Sequence, residues 1–384
     1  MAHNTNGGPV ALRILRRLLN AVPADQQASG FILWLQNRGQ NGSAQVERWQ
    51  TALMEPLGAA GRESVVGGLH QWYFANAGAP IRTPTVLLHG YASSAVSFHR
   101  NLAALGAQVE QLYALDLPGN GMSQELPLGP AAARALARRC GARADIRALA
   151  DYYLDALERW RAANGLETLN AAGHSFGGYL AFKYALRHPA RVQRLCLVSP
   201  LGVEAQTAGR RMPGRATRRR TRPPTPASPH YTRAAALPPL LFEQQLRVLR
   251  WLGPLGAHLL WQYVNASFSR VPGREFHRYT FALLHRLALR PLPRKLFTGL
   301  FTNALLARDP LLDSLAELKV PNVQLLYGDH DWMDARAGRA LVAELNALRG
   351  RPDASLAIVP AAGHNLFLDN PEDFHSWLLD FLRV

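Results

Sequence analysis

Lysine is nearly missing from this chain: of 43 Lys and Arg residues, only Lys183, Lys295 and Lys319 are lysines. An arginine skew beside plentiful alanine and glycine reflects GC-rich coding in part, so the formal charge of +16 is a poor guide to partners. No recognised nucleic-acid motif accompanies the charge, and nucleic acid is not an expected partner. Cysteine is scarcer still. Cys140 and Cys196 are the only two in 384 residues, which excludes a disulfide-built scaffold and points to a reducing compartment. No run of eighteen apolar residues is free of charged or strongly polar groups, so no transmembrane helix is expected and any membrane contact would be peripheral. His, Cys and carboxylates do not cluster at metal-ligand spacing, and no metal or cofactor is expected. There is no internal repeat.

What remains is a chain with 48% hydrophobic residues, enough for one large α/β core carrying an insertion. Apolar strand-like runs bounded by Gly, Pro or polar turns fall at 69–74, 85–89, 112–117, 169–173, 192–198, 323–327 and 355–359. Helical spacing is clearest at 145–164, 176–187, 335–348 and 371–382. Strands alternating with helices predict a mostly parallel central sheet covered on both faces. The alternation stops between about residues 205 and 318.

This gives a basic amphipathic extension at 1–42, a core in two parts at 43–205 and 319–384, and a helical cap insertion at 206–318. The cap contains Trp251, Trp261, Tyr263, Phe268, Phe276, Tyr279 and Phe281, which can bury apolar area over the core. Its first stretch, residues 207–230, is rich in Arg and Pro without an acid and reads as a flexible loop. Arg210, Arg211, Arg215, Arg218, Arg219, Arg220 and Arg222 there are candidates for docking anionic lipid headgroups. Residues 1–24 have no acid, with Arg13, Arg16 and Arg17 on one helical face and Leu12, Leu15 and Leu19 on another. That pattern fits a mitochondrial transit peptide, an interfacial helix or a frayed terminus.

"GHSFG" at 173–177 sits between a strand-like run and a helix-like one, as a nucleophile elbow requires, with Ser175 at its apex. A serine hydroxyl needs a base, and the base needs a carboxylate to orient it. "LLYGDHDWMD" (325–334) offers Asp329, Asp331 and Asp334 just after a strand, and "VPAAGHNLFLDNPEDF" (359–374) offers His364. Asp331 is the preferred carboxylate, with Asp329 and Asp334 left open. The chain order Ser, Asp, His is that of α/β-hydrolases. "LLHGYASS" (87–94) ends a strand, so the backbone N–H groups of Tyr91 and Phe176 are candidate oxyanion donors. His89 reads as a support for that loop. "DLPGNGMS" (116–123), with Gly119 and Gly121, lacks the continuation of a phosphate loop and belongs to the fold.

Together "LLHGYASSAVSFHRNLAAL", "ALDLPGNGMS", "GHSFGGYLAFKYALRHP", "LLYGDHDWMD" and "GHNLFLDNPEDF" resemble the α/β-hydrolase subfamily that contains the yeast cardiolipin-specific deacylase and the animal lipid-droplet lipase co-activator. The resemblance covers about residues 43–205 and 319–384. It implies an α/β-hydrolase fold, phospholipid or lysophospholipid esters as substrates, and acyl transfer to water or a lipid hydroxyl. It also implies an address at the mitochondrion or at the cytosolic face of a membrane or lipid droplet, in peripheral contact with anionic lipid. Some members carry asparagine at the elbow and act as regulators, whereas this chain keeps Ser175. An H-x-x-x-x-D pattern credited with acyl transfer in the subfamily is matched by His364 to Asp369. "DNPED" nevertheless reads as a helix start, with Asn370 as N-cap and Pro371 at the first helical position, which makes Asp369 structural. The Arg-Pro that often follows the 116–123 turn in the subfamily is missing, which leaves lipid selectivity open. A small-molecule esterase or carbon–carbon bond hydrolase, and a non-catalytic regulator, are the alternatives.

Overall fold

A computed structural model describes residues 27–38, 41–138, 142–206, 231–232 and 237–383. The arginine-rich loop 207–230, the extreme N-terminal segment and Cys140 lie outside the described residues. Eight strands form one sheet: β1 Gly61–Val66, β2 Leu69–Ala75, β3 Thr85–Leu88, β4 Gln111–Leu115, β5 Leu169–His174, β6 Val192–Val198, β7 Asn322–Gly328 and β8 Ala354–Val359. Their order is β1-β2-β4-β3-β5-β6-β7-β8. β2 pairs antiparallel with both β1 and β4, and every other pairing is parallel.

Burial on both faces explains the near-continuous apolar runs of the central strands. Because successive side chains alternate, Val86, Leu88, Leu195, Leu197 and Leu325 join one core cluster, while Leu87, Cys196, Val198 and Leu326 join the other. Helices Arg143–Ala163, Phe176–Arg187 and Ala335–Arg349 supply residues to the first cluster. Helices His99–Gly106 and Pro371–Arg383 supply the second. Leu197, fully buried in β6, illustrates the scale: truncation to alanine would cost about 2–5 kcal/mol.

The last helix begins as its sequence predicts. The Asn370 side-chain oxygen accepts the Asp373 N–H at 3.3 Å, while its amide donates to Pro360 O and to the Asp373 carboxylate. Asp334 caps Ala335–Arg349 by accepting the Arg336 N–H at 2.9 Å, and Gly350 closes that helix at φ 68°.

Above the sheet lie the cap helices Pro239–Gln244, Leu246–Trp251, Gly253–Ser267, Glu275–Leu287 and Pro291–Leu300. Trp261, Phe276, Tyr279 and Phe281 are buried there as expected. Trp251 is not: it is 63% exposed, because the helix that ends on it has no buried residue. The N-terminal helices belong to this layer as well. Gly30–Gln36 packs on Gly253–Ser267 and sends Leu33 into the cap's cluster, and Asn41–Met54 packs on Glu275–Leu287. No helix among the described residues is long and apolar enough to cross a membrane.

Candidate active site

Since β3 to β8 run parallel, the loops that leave their C-terminal ends gather at one edge of the sheet, where open α/β sheets hold their ligands. Ser175 leaves β5 there at φ 52° and ψ −110°, a conformation side-chain-bearing residues adopt only under strain of about 1–3 kcal/mol. Close packing holds it. A Cβ on Gly173 would stand 2.4 Å from Gly177 O, and one on Gly177 would stand 2.4 Å from Leu88 O and 2.6 Å from His89 O. Both elbow glycines are therefore required by approach of backbone to backbone. Ser175 N–H donates to Val198 O at 2.8 Å, tying the turn to β6.

Asp331 follows β7 and His364 follows β8. His364 Nδ1 lies 3.1 Å from Asp331 Oδ1, and the carboxylate is almost wholly buried. Asp331 is fixed in turn by the Met333 N–H at 3.0 Å on Oδ1 and by the Ser199 hydroxyl on Oδ2. The competing carboxylates are occupied elsewhere. Asp329 accepts the N–H groups of Ala361 and Ala362 at 3.0 and 2.9 Å, and Asp334 caps a helix. The ring of His364 is flanked by His174 and Trp332, with centroids 4.7 and 4.8 Å away. His174, next to the serine in sequence, donates from Nε2 to His364 O at 2.9 Å; burial and the neighbouring His364 push its pKa well down, which keeps it neutral.

The loop after β3 closes on the elbow: a Cβ on Gly90 would lie 3.4 Å from Ser175 Cβ and 2.9 Å from His174 Nδ1. That brings the backbone of Tyr91 into the serine's neighbourhood. His89 is a backbone support. Its Nδ1 donates to Gly90 O at 2.7 Å and its Nε2 accepts the Leu117 N–H at 2.9 Å. The Tyr91 ring stacks on Phe297 with centroids 3.8 Å apart, and its hydroxyl donates to Gln245 Oε1 at 2.5 Å, so the cap grips the same loop.

An ionic chain, buried at Asp116 and His70 and reaching solvent at Glu63, braces the floor. Asp116 accepts the N–H groups of Ala95 and Met122 at 2.7 and 2.8 Å. His70 lies between Asp116, 2.8 Å from Nδ1 though off the line of an ideal hydrogen bond, and Glu63, 2.6 Å from Nε2. Burial opposes protonation of His70, but the two carboxylates outweigh it and raise its pKa to about 9. The cap fastens to the 116–123 turn by arginines: Arg290 donates to Gly119 O and Ser123 O at 2.9 and 2.8 Å, and Arg286 to Gly121 O. Asp369 accepts the Gly363 N–H at 2.8 Å, which fixes the loop that carries His364.

Ser175, Asp331, His364, Tyr91 and Phe176 thus share one edge, while the seven loop arginines fall outside the described residues. Sequence reading missed His174, Ser199 and the His70–Asp116 pair. The first two adjoin the serine and the end of β6, so their positions were available as signals; the pairing of His70 with Asp116 depends on tertiary contact alone.

The profile of the alpha/beta hydrolase fold family matches residues 83–371. The chain belongs to this family. Among its relatives, this α/β-hydrolase is 38% identical to the protein ECM18 of Saccharomyces cerevisiae over 96% of the present chain and 88% of the other. It is 37% identical to 1-acylglycerol-3-phosphate O-acyltransferase ICT1 of the same yeast, over 85% of this chain and 88% of that one. The mouse (lyso)-N-acylphosphatidylethanolamine lipase is 27% identical over 77% and 78% of the respective chains. Relatives so named support a lipid acyl hydrolase or acyltransferase role for this α/β-hydrolase.

Proposed function

We propose that the protein is a serine-dependent acyl hydrolase of phospholipids or lysophospholipids, able to pass the acyl group to a lysophospholipid hydroxyl as well as to water. The observation that carries this reading is the buried Asp331 holding His364 Nδ1 at 3.1 Å on the edge where the strained Ser175 turn lies. With Nδ1–H committed to Asp331, Nε2 is the basic nitrogen. It takes the Ser175 proton as Oγ attacks the ester carbonyl, and the N–H groups of Tyr91 and Phe176 stabilise the oxyanion. Collapse breaks the C–O bond, and His364 returns the proton to the leaving lysolipid oxygen. Water or a lipid hydroxyl then repeats the sequence on the acyl-serine. Transfer to lysophosphatidate is favoured as the second outcome by the likeness to a yeast protein named as an acylglycerol-phosphate acyltransferase. Asp369, bonded to Gly363 N–H, serves here as a positioning residue.

Peripheral contact with anionic lipid, at the mitochondrion or the cytosolic face of a membrane or droplet, suits such substrates. Treatment with a fluorophosphonate should label the parent on Ser175 and leave Ser175→Ala unlabelled. Purified protein given lysophosphatidate and a labelled phospholipid should yield free fatty acid, phosphatidate or both, in a ratio that ranks water against lipid acceptor. A folded parent that neither labels nor turns over any acyl ester would instead be a regulator.

A further inference from the structure

Three observations converge at the junction of the N-terminal helix and the cap. First, large apolar side chains stand in solvent on two helical segments that touch. Phe31 is 55% exposed, with Ile32 and Leu35 beside it on Gly30–Gln36; Trp251 is 63% and Leu255 59% exposed, with Leu252 between them. The segments meet closely enough that a Cβ on Gly30 would stand 2.5 Å from Pro254 O, and one on Gly253 would stand 3.9 Å from Trp34. Monomeric proteins seldom leave so many bulky apolar groups together without a partner.

Second, the border is cationic. Arg38 lies over the Trp34 ring at 4.4 Å and Arg247 over Trp251 at 5.2 Å. Arg250 spends its guanidinium on the His285 ring and carbonyl. None of the three is paired with a carboxylate among the described residues. Aromatic and aliphatic groups ringed by arginines are the make-up of a surface that enters the headgroup boundary of an anionic bilayer.

Third, the face adjoins the loop that packs against the nucleophile. Arg247, Gln245 and Tyr91 line a small cavity at its edge; Gln245 holds the Tyr91 hydroxyl, and Gly90 lies against Ser175. Ala92, one residue further along the same loop, packs against the apolar cluster that Leu33 shares with the cap.

We propose that the face made by helix Gly30–Gln36 and the segment Trp251–Leu255 seats the protein on an anionic phospholipid bilayer, presenting the Tyr91–Gln245 side of the site to the lipid. This rests on the acyl-hydrolase reading for its purpose but not for its test.

The test uses the full chain with Ile32→Glu/Leu255→Glu and, separately, Arg38→Gln/Arg247→Gln. Binding is read by flotation with phosphatidylcholine vesicles that do or do not carry phosphatidylglycerol, and turnover on both vesicle phospholipid and the soluble ester p-nitrophenyl butyrate. Carboxylates in the apolar face should lower the vesicle-bound fraction and vesicle turnover by at least about tenfold, with turnover of the soluble ester held within about twofold. The arginine replacements should weaken binding on phosphatidylglycerol vesicles only. The proposal is overturned if Ile32→Glu/Leu255→Glu floats like the parent, if the parent binds neither vesicle, or if sedimentation shows a dimer that this variant dissolves, which would make a second copy the occupant. A parent that floats yet hydrolyses no ester would leave the docking face standing and remove the acyl-hydrolase reading.

Discussion

His70 gives the protein an alkaline weakness whose size can be worked out. The unperturbed side chain titrates at 6.5, and the folded one, between Asp116 and Glu63, at about 9. A difference of roughly 2.5 units corresponds to about 3 kcal/mol of preferential proton binding by the folded state. The raised value fixes the sign. The contribution is whole below the unfolded value near 6.5 and is lost as pH climbs through the folded value near 9. Urea unfolding followed by tryptophan fluorescence should therefore show the parent losing up to about 3 kcal/mol between about pH 6 and pH 10 beyond whatever His70→Gln loses over the same interval. Glutamine can still donate to a carboxylate but cannot titrate there, so the difference between the two curves isolates the imidazole. Parallel curves would refute the reasoning, and a parent that gained stability relative to the variant on going alkaline would reverse its sign. Asp116 also holds Ala95 N–H and Met122 N–H, so turnover of the parent should fall over the same alkaline range.

Further outcomes follow from the same geometry. Asp331→Asn should lower kcat by about 10³–10⁴ with little change in KM for a soluble ester, because His364 loses the partner that fixes its tautomer; Asp329→Asn should not approach that loss. Gly177→Ala drives a methyl to 2.4 Å from Leu88 O, where backbone cannot give way, and should yield protein melting well below the parent and unlabelled by fluorophosphonate. Ser199→Ala should reduce kcat more modestly than Asp331→Asn, while the variant still labels slowly. Equal losses in those two variants would mean the hydroxyl, not the carboxylate, governs the imidazole.

The central strands could be read from sequence because they are buried on both faces: "VQRLCLV" and "NVQLLYG" have too little polarity to be anything exposed. β1 escaped notice for the opposite reason. It is an edge strand in which Arg62 and Val65 are exposed, and only its pairing with β2 marks it out. Asn41–Met54, opening on Asn-Gly-Ser, has weak helical signals and is held by its packing on the cap. The candidate catalytic residues were legible because each follows a strand, and parallel strands deliver their ends to one place. Residues that brace them were less so. Ser199 and His174 bond to groups more than a hundred positions away, and no local pattern encodes such a meeting. Composition places Trp251 among the buried aromatics of the cap because it says only that a ring wants cover, not whether protein or another phase provides it.

The arginines that fasten the cap to the turn after β4 end chiefly on main-chain oxygens, those of Gly119, Gly121 and Ser123, and Arg286 also reaches Met122 Sδ at 3.8 Å. A joint of that kind depends first on the path of the receiving strip, which Gly121, against the Asp116 carboxylate, and the Ser123 hydroxyl, bonded to Asp116 O and the His70 N–H, hold in place. Exposed Gln124 can therefore be substituted without unhinging the roof, whereas inserting or deleting one residue would move every acceptor out of register at once.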